Sequence, residues 1–257
     1  KTPVIVAGGG VHYAFATDAL RDFATAHQIP VVETQAGKSV LPWDHPMNLG
    51  PIGVTGAASA NTVCAQADVV IGVGTRFQDF TTGSWSLFSH PGRKLISLNV
   101  AAYDAMKHGA EPLCADALVG LGALGKALGS KTFVAPAATL KSDWFAAVDP
   151  LTDLPKDSNA LPTDMQVVGA VQRSAGPDTV VMCAAGTMPG ELHKLWKATR
   201  PMSYHMEYGF SCMGYEIAGG LGAKLANPDR EIVVWTGDGT YMMANSELAT
   251  AVMLGLK

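Results

Sequence analysis

Short apolar runs separated by longer stretches of mixed polarity set the rhythm of this chain. In the first half the runs are Val4–Ala7, Pro30–Glu33, Val69–Val73 and Leu95–Val100, and helical spacing of apolar residues marks Tyr13–Ala26, Ala57–Ala67 and Ala117–Leu128. The runs predict buried strands, and the spaced stretches predict amphipathic helices. Strands alternating with helices imply a parallel sheet with helices on its faces.

The pattern weakens from Phe133 to Pro162, where Pro136, Pro150, Pro155 and Pro162 surround one helical candidate, Thr139–Val148. A stretch of this kind predicts a structured linker between domains. Alternation resumes with helix Thr163–Ser174, strand Thr179–Cys183, helices Pro189–Lys197 and Tyr215–Ala226, strand Ile232–Trp235 and helix Ser246–Leu254. The predicted fold is therefore α/β, with two parallel-sheet, Rossmann-like domains at 1–132 and 161–257 joined by a linker at 133–160, the second sheet cut off after two or three strands. The chain has no initiator Met and opens at once on a strand, which predicts a piece of something longer.

Glycines cluster where predicted strands end. "VIVAGGGVHYA" runs from a strand into Gly8, Gly9 and Gly10 and then toward a helix, as in nucleotide-binding turns. It does not reproduce G-x-G-x-x-G, and the acid expected after the second strand could only be Glu33, so the plainer expectation is a turn without a nucleotide. "CAAGTMPGEL" passes through Gly186 and Thr187 into a helix with Pro189 in its first turn. "EYGFSCMGYEIAGGLGAK" is a glycine-punctuated turn entering a helix, and "TGDGTYMMANSEL" places Asp238 between Gly237 and Gly239 after a strand. A carboxylate held in such a turn suits a hard cation such as Mg²⁺ beside a phosphate, or caps the next helix. Three such turns on one edge of a parallel sheet would surround a diphosphate and its metal.

Composition narrows the choice. With 48% hydrophobic and 16% charged residues, 257 residues suffice for one large or two ordinary cores. A net charge of -4 without any basic cluster makes nucleic acid and anionic membranes poor partners, and no apolar run is long enough to span a bilayer. Cys64, Cys114, Cys183 and Cys212 form no C-x-x-C and are expected to be buried free thiols in a reducing cytoplasm. His12, His45, His90, His108, His193 and His205 have no metal-ligand spacing; His205 and Glu207 are the best placed to reach a polar substrate.

Taken together, the Gly-Asp-Gly turn and "GFSCMGYEIAGGLGA" resemble the thiamine-diphosphate-dependent enzymes of the acetohydroxy acid synthase and pyruvate decarboxylase type. The resemblance covers the whole chain, with 1–132 similar to the family's central domain and 161–257 to the first part of its diphosphate-binding domain. It implies thiamine diphosphate and Mg²⁺ as cofactors. Asp238 matches the metal ligand; Gly186, Thr187, Gly237, Gly239 and Thr240 match the diphosphate turns; Ser211, Cys212 and Met213 match the segment whose bulky residue supports the folded cofactor. The family's second Asn ligand would lie beyond residue 257, since Asn245 stands too close to Asp238, and its activating Glu lies in a domain outside this chain, so the piece alone is expected to be inactive.

Within the family, "ETQAGKSVLPWDHPMNLGPIGVTG", "VGTRFQDFTTGSW" and "MEYGFSCMGYEIAGGLGAK" are similar to the branch that opens a cyclic 1,2-dione by C–C hydrolysis in inositol catabolism. The implied product is 5-deoxy-glucuronate, and the implied assembly is a homodimer or homotetramer with its site between subunits. Gln78, Phe80, Asn99 and Ala101 replace residues typical of the flavin-holding synthases, which puts FAD in doubt although Arg76 and Gly83 remain. Two other outcomes stay open: an acetolactate-forming carboligase or 2-oxo acid decarboxylase, and a non-catalytic nucleotide-binding module using Gly8–Gly10.

Overall fold

The branched residues of Pro3–Ala7 (β1) are buried along its whole length and divide by parity, Ile5 and Ala7 entering one apolar cluster and Val4 and Val6 another. A strand covered on both faces is what a central position in a parallel sheet demands. The computed structural model describes residues 1–257 except 135–138, Lys156, Ser158, Ala185, Tyr208 and Ser211. Val31–Glu33 (β2), Asn48–Pro51 (β3), Val69–Val73 (β4), Lys94–Asn99 (β5) and Glu111–Cys114 (β6) join β1 in the order β3-β2-β1-β4-β5-β6, every pair parallel. This is the doubly wound order, whose reversal between β1 and β4 opens a crevice at their carboxyl ends.

Helices close both faces. Leu20, Phe23 and Ala24 of Thr17–His27 and Leu121 of Ala117–Leu128 enter the cluster beneath Ile5 and Val73, while Ala60, Val63 and Cys64 of Ala58–Gln66 enter that beneath Val4 and Val70. Each fully buried Leu, Val or Ile contributes roughly 1.5–3 kcal/mol, so the two faces supply most of what holds this unit.

The second sheet has Val180–Cys183 (β7), Tyr204–Met206 (β8) and Ile232–Val234 (β9) in the order β8-β7-β9, again all parallel. Its core gathers Val181, Cys183, Leu192, Trp196, Tyr204 and Trp235, joined by Val148 from helix Thr139–Val148 and Val168 from helix Asp164–Ser174. The latter helix begins with a capping box in which Thr163 Oγ1 accepts the Gln166 N–H at 3.3 Å and Gln166 Oε1 accepts the Thr163 N–H at 2.9 Å. Thr163→Ala is expected to cost about 1 kcal/mol, read as a fall of roughly 2–4 °C in Tm. Thr163→Ser should restore the value, and an unchanged Tm in the alanine variant would show that the cap is idle.

Hydrogen bonds tie the two sheets together. Tyr204 donates to Gln35 Oε1 at 2.9 Å, Thr55 Oγ1 lies 3.1 Å from His193 Nδ1, and the Trp43 N–H donates to the Ala198 carbonyl at 2.8 Å. The helix Thr139–Val148 touches both sides: Lys141 Nζ donates to the His45 carbonyl at 3.0 Å, and Phe145 meets the Trp43 ring edge-on at 5.2 Å.

Several elements differ from expectation. The helix predicted over 13–26 is two, Gly10–Tyr13 and Thr17–His27, broken where Phe15 takes a φ of 49°. The helix expected from Pro189 begins at Thr187 and ends at Leu195. Strands β3, β6 and β8 carry no periodic signal: β3 is Asn-Leu-Gly-Pro, β6 is an exposed edge, and β8 has 3 residues. Of the four cysteines, Cys64 and Cys183 are buried as expected, whereas Cys114 and Cys212 are exposed, one on that edge strand and one in the turn before Met213.

Candidate functional site

Three turns leave the second sheet at one level. Cys183 pairs with Met206 and Met182 with Val234, so Ala184, Glu207 and Thr236 each begin a turn at the carboxyl edge of adjacent parallel strands. The first turn reaches Gly186 and the N-terminus of helix Thr187–Leu195. The last reaches Gly237, which precedes the helix Asp238–Ala244 that starts on the carboxylate residue itself. Between them lies the turn carrying Cys212 and Met213 ahead of helix Tyr215–Ala226; Ser211 falls outside the described residues.

Around Asp238 there is room. No atom lies within 4 Å of where a Cβ would stand on Gly237 or Gly239, and Asp238 is exposed. Its Oδ1 accepts the Gly239 N–H at 2.8 Å, which sets the carboxylate in the turn. Thr240 is buried beneath it. Among the described residues no group of three or more His, Cys, Asp and Glu gathers, so Asp238 would meet a cation as a single carboxylate. Mg²⁺ commonly takes one or two protein carboxylates and completes its shell with water and phosphate. The Met213 turn sits at the far end of the same helix, because a Cβ on Gly214 would stand 3.5 Å from the Ala244 Cβ and 3.8 Å from that of Met243. Asp238 and that end are roughly 8 Å apart along the helix axis.

Glu207, expected to reach a substrate, lines a cleft and also binds its own loop. Its Oε1 accepts the Phe210 N–H at 3.0 Å and its Oε2 the Cys212 N–H at 2.7 Å. Partial burial would raise this carboxyl, but the amides of Cys212, Phe210 and Gly209 outweigh that and hold it below the usual carboxylate range. His205 lines the same cleft: its Nε2 lies 2.7 Å from the Tyr215 hydroxyl, and burial pushes its pKa down despite the nearby Glu207. A neutral imidazole beside a phenol can exchange hydrogen bonds with a hydroxyl group. The sequence offered one signal for Glu207, an acid at the head of a glycine- and aromatic-rich turn, and it gave no direction.

The crevice of the first sheet is a cleft of about 510 Å³ that runs from Gly9 and Gly74 past Arg76 and Asn99 to His205 and Tyr215. Most amides of its glycine turn are taken up by the backbone itself. The Gly8 N–H donates to Val73 at 2.9 Å, that of Gly10 to Gly74 at 3.0 Å and that of Val11 to Gly8 at 3.1 Å. Gly10–Tyr13 has only 4 residues and little dipole to offer. Glu33, the one acid in place for a ribose, is buried with Oε1 accepting the Leu41 N–H at 3.4 Å. Burial raises Glu33 and lowers its neighbour Lys38 to about 8, while each acts to hold the other charged. His193, wholly buried in the seam, is pushed well below the imidazole range by burial and remains neutral at pH 7.

Sequence comparison gives this geometry a family. The thiamine pyrophosphate enzyme central domain matches residues 1–124, and the thiamine pyrophosphate enzyme C-terminal TPP binding domain matches residues 184–257. The chain is 42% identical over 98% of its length to a 3D-(3,5/4)-trihydroxycyclohexane-1,2-dione hydrolase of Clostridium perfringens, spanning 43% of that protein. It is 41% identical over 100% of its length to the enzyme of that name from Geobacillus thermodenitrificans, spanning 44% of it. A hydrolase 2 of the same name from Bacillus cereus is 42% identical over 98% of this chain, which spans 43% of it. In each case the chain covers less than half of the relative.

Proposed function

This chain belongs to the thiamine pyrophosphate enzymes, and from that premise we propose that its protein hydrolyses 3D-(3,5/4)-trihydroxycyclohexane-1,2-dione to 5-deoxy-glucuronate with thiamine diphosphate and Mg²⁺. The substrate is the one in the names of its relatives. The convergence of three glycine turns on one sheet edge, with the exposed Asp238 among them, carries the cofactor assignment. Open space at Gly237 and Gly239 and a helix N-terminus at Thr187 with no side-chain cap among the described residues fit a diphosphate with its cation.

Asp238 would ligate Mg²⁺, the backbone N–H groups of Gly186, Thr187 and Thr240 would face phosphate oxygens, Gly237 and Gly239 would give the diphosphate room, and Met213, with Ser211 and Cys212 beside it, would stand against the cofactor rings. When bound, thiamine diphosphate supplies the electron sink for the carbanion left by C–C cleavage. The chain's own contribution is placement. Asp238 is fixed through Oδ1, and its Oδ2 would meet the cation. His205 and Tyr215, at the cleft wall, would orient ring hydroxyls by hydrogen bonds. Hydrolysis adds water across the broken bond with no net redox change, so FAD is not required.

Domains at 1–132 and 161–257 with a linker at 133–160, a homodimer or homotetramer, and a cytoplasmic location belong to the same proposal. Two separate sheets and a helix that touches both support the division. No described helix is long and apolar enough to cross a membrane.

The test is turnover by the full-length protein with Mg²⁺ and thiamine diphosphate. Consumption of the dione with release of the open-chain acid, and none of pyruvate, is expected. Pyruvate consumption without dione hydrolysis would make it a carboligase or decarboxylase, and failure to bind the cofactor would remove the catalytic assignment altogether.

A further inference from the structure

The turn that carries Met213 has a carboxylate at each end. Glu207, just after β8, accepts the N–H groups of Phe210 and Cys212 on separate oxygens, at 3.0 and 2.7 Å. Glu216, in the first turn of helix Tyr215–Ala226, accepts the Gly214 N–H on Oε2 at 3.2 Å and is only 1% exposed. The amides immediately before and after Met213 are thus both bound to carboxylates. Among the described residues neither acid pairs with a lysine or arginine, and both are directed at the backbone. Hydrogen bonds from N–H to an ionised carboxylate are roughly twice as strong as neutral ones.

The turn is also docked. Gly214 has a φ of 96°, a backbone conformation that disfavours larger residues, and it lies beside the end of the helix that begins at Asp238, where a Cβ would meet those of Ala244 and Met243 at 3.5 and 3.8 Å. The Met213 side chain, in contrast, is half exposed. An unbranched thioether on a loose loop would sample many positions. Here its backbone is fixed from both sides while its tip is left free to meet a ligand.

We propose that Glu207 and Glu216 are positioning residues, a carboxylate pair that locks the backbone around Met213 so that its side chain presents a fixed support to the ring portion of the cofactor. This rests on the thiamine diphosphate assignment above. Both act through the backbone: Glu207, at the cleft, spends each oxygen on an amide, and Glu216 is enclosed. Loss of the lock frees Met213 and slows the reaction, because small misplacement of a reacting group is costly. Anchoring of the diphosphate, which depends on the Asp238 turn, is left largely intact.

The full-length holoenzyme tests this with E207A, E207Q, M213A and the E207A/M213A double variant. Calorimetry at saturating Mg²⁺ gives the cofactor Kd, initial rates on the dione give kcat, and thermal melts confirm folding. E207A is expected to lower kcat about tenfold while Kd stays within about threefold. E207Q, which keeps one acceptor oxygen, should fall between E207A and the wild type, and it carries the test if E207A does not fold. The double variant should be no slower than M213A, since residues acting through one another are not additive. Multiplying losses in the double variant, a Kd that worsens in step with kcat, or an unchanged E207A rate would each overturn the proposal. A wild-type enzyme that fails to bind thiamine diphosphate would instead sink the functional assignment on which it rests.

Discussion

Asp238→Ala is expected to abolish Mg²⁺-dependent binding of thiamine diphosphate while leaving the protein folded. Loss of an outer-shell partner of a metal site commonly costs 10–100-fold in affinity, so loss of the ligand itself should cost at least about 100-fold, or roughly 2.7 kcal/mol. Nothing nearby can replace it, since no cluster of His, Cys, Asp and Glu exists among the described residues. Folding should hardly notice, because the exposed Asp238 makes one local bond, from its Oδ1 to the Gly239 N–H. Asp238→Asn separates the two roles: the amide oxygen can still accept that N–H, but the charge is gone. Calorimetry on the full-length protein with and without Mg²⁺ decides. Tight, metal-dependent binding by wild type alone supports the ligand role, whereas equal binding by all three proteins would reduce Gly-Asp-Gly to a turn.

The expected independence of fold and ligand at Asp238 also explains why the residue was hard to interpret from local sequence. An aspartate between glycines after a strand caps a helix as readily as it holds a cation, and here it stands at the first helical position as well as in open space. Only context bears on the choice. Two of the three strand ends at one level are legible, because β7 and β9 are apolar runs and each has a glycine three residues on. The third strand, β8, is not: Tyr204–Met206 alternates nothing over its 3 residues and owes its place to pairing with β7. β3 and β6 escaped for related reasons, one built around a Gly-Pro pair and one exposed along an edge where no core imposes a period.

Direction of side chains was the least legible property. Glu207 and His205 are two residues apart and both line the cleft, yet His205 pairs with the Tyr215 hydroxyl while Glu207 closes on amides three and five residues ahead. Glu33 and Lys38 likewise give no hint in sequence that they are buried together in the seam between the sheets. Such inward-facing charges depend on tertiary partners, Asn48 and Leu41 for Glu33 and the Tyr204 ring for Lys38, that come from separate elements. Assignment of Met213 to the cofactor likewise came through family resemblance, since a methionine by itself is ordinary filling for a core.

The same distinction between packing and ligand contact predicts a large difference between adjacent glycines at the start of the chain. Gly8→Ala is expected to destabilise the protein by about 3 kcal/mol or more. A Cβ there would stand 2.3 Å from the Gly74 carbonyl oxygen and 2.7 Å from the Thr75 Cα, contacts that only a backbone shift could relieve. That shift is opposed by Gly8 N–H to Val73, Gly10 N–H to Gly74 and Gly74 N–H to Leu98, at 2.9, 3.0 and 2.8 Å. Gly9→Ala places its methyl 3.2 Å from the Ala36 Cβ, in a backbone of ordinary helical φ and ψ, and should cost under about 1 kcal/mol. For a chain of this size the difference is several degrees in Tm. Thermal melts of the two variants, with adenine-nucleotide titrations alongside, discriminate the roles. Unequal Tm values mean that Gly8 joins the ends of β1 and β4, and its methyl breaks the sheet. Two equally stable variants that have both lost a nucleotide bound by the wild type would instead make the turn a phosphate cradle.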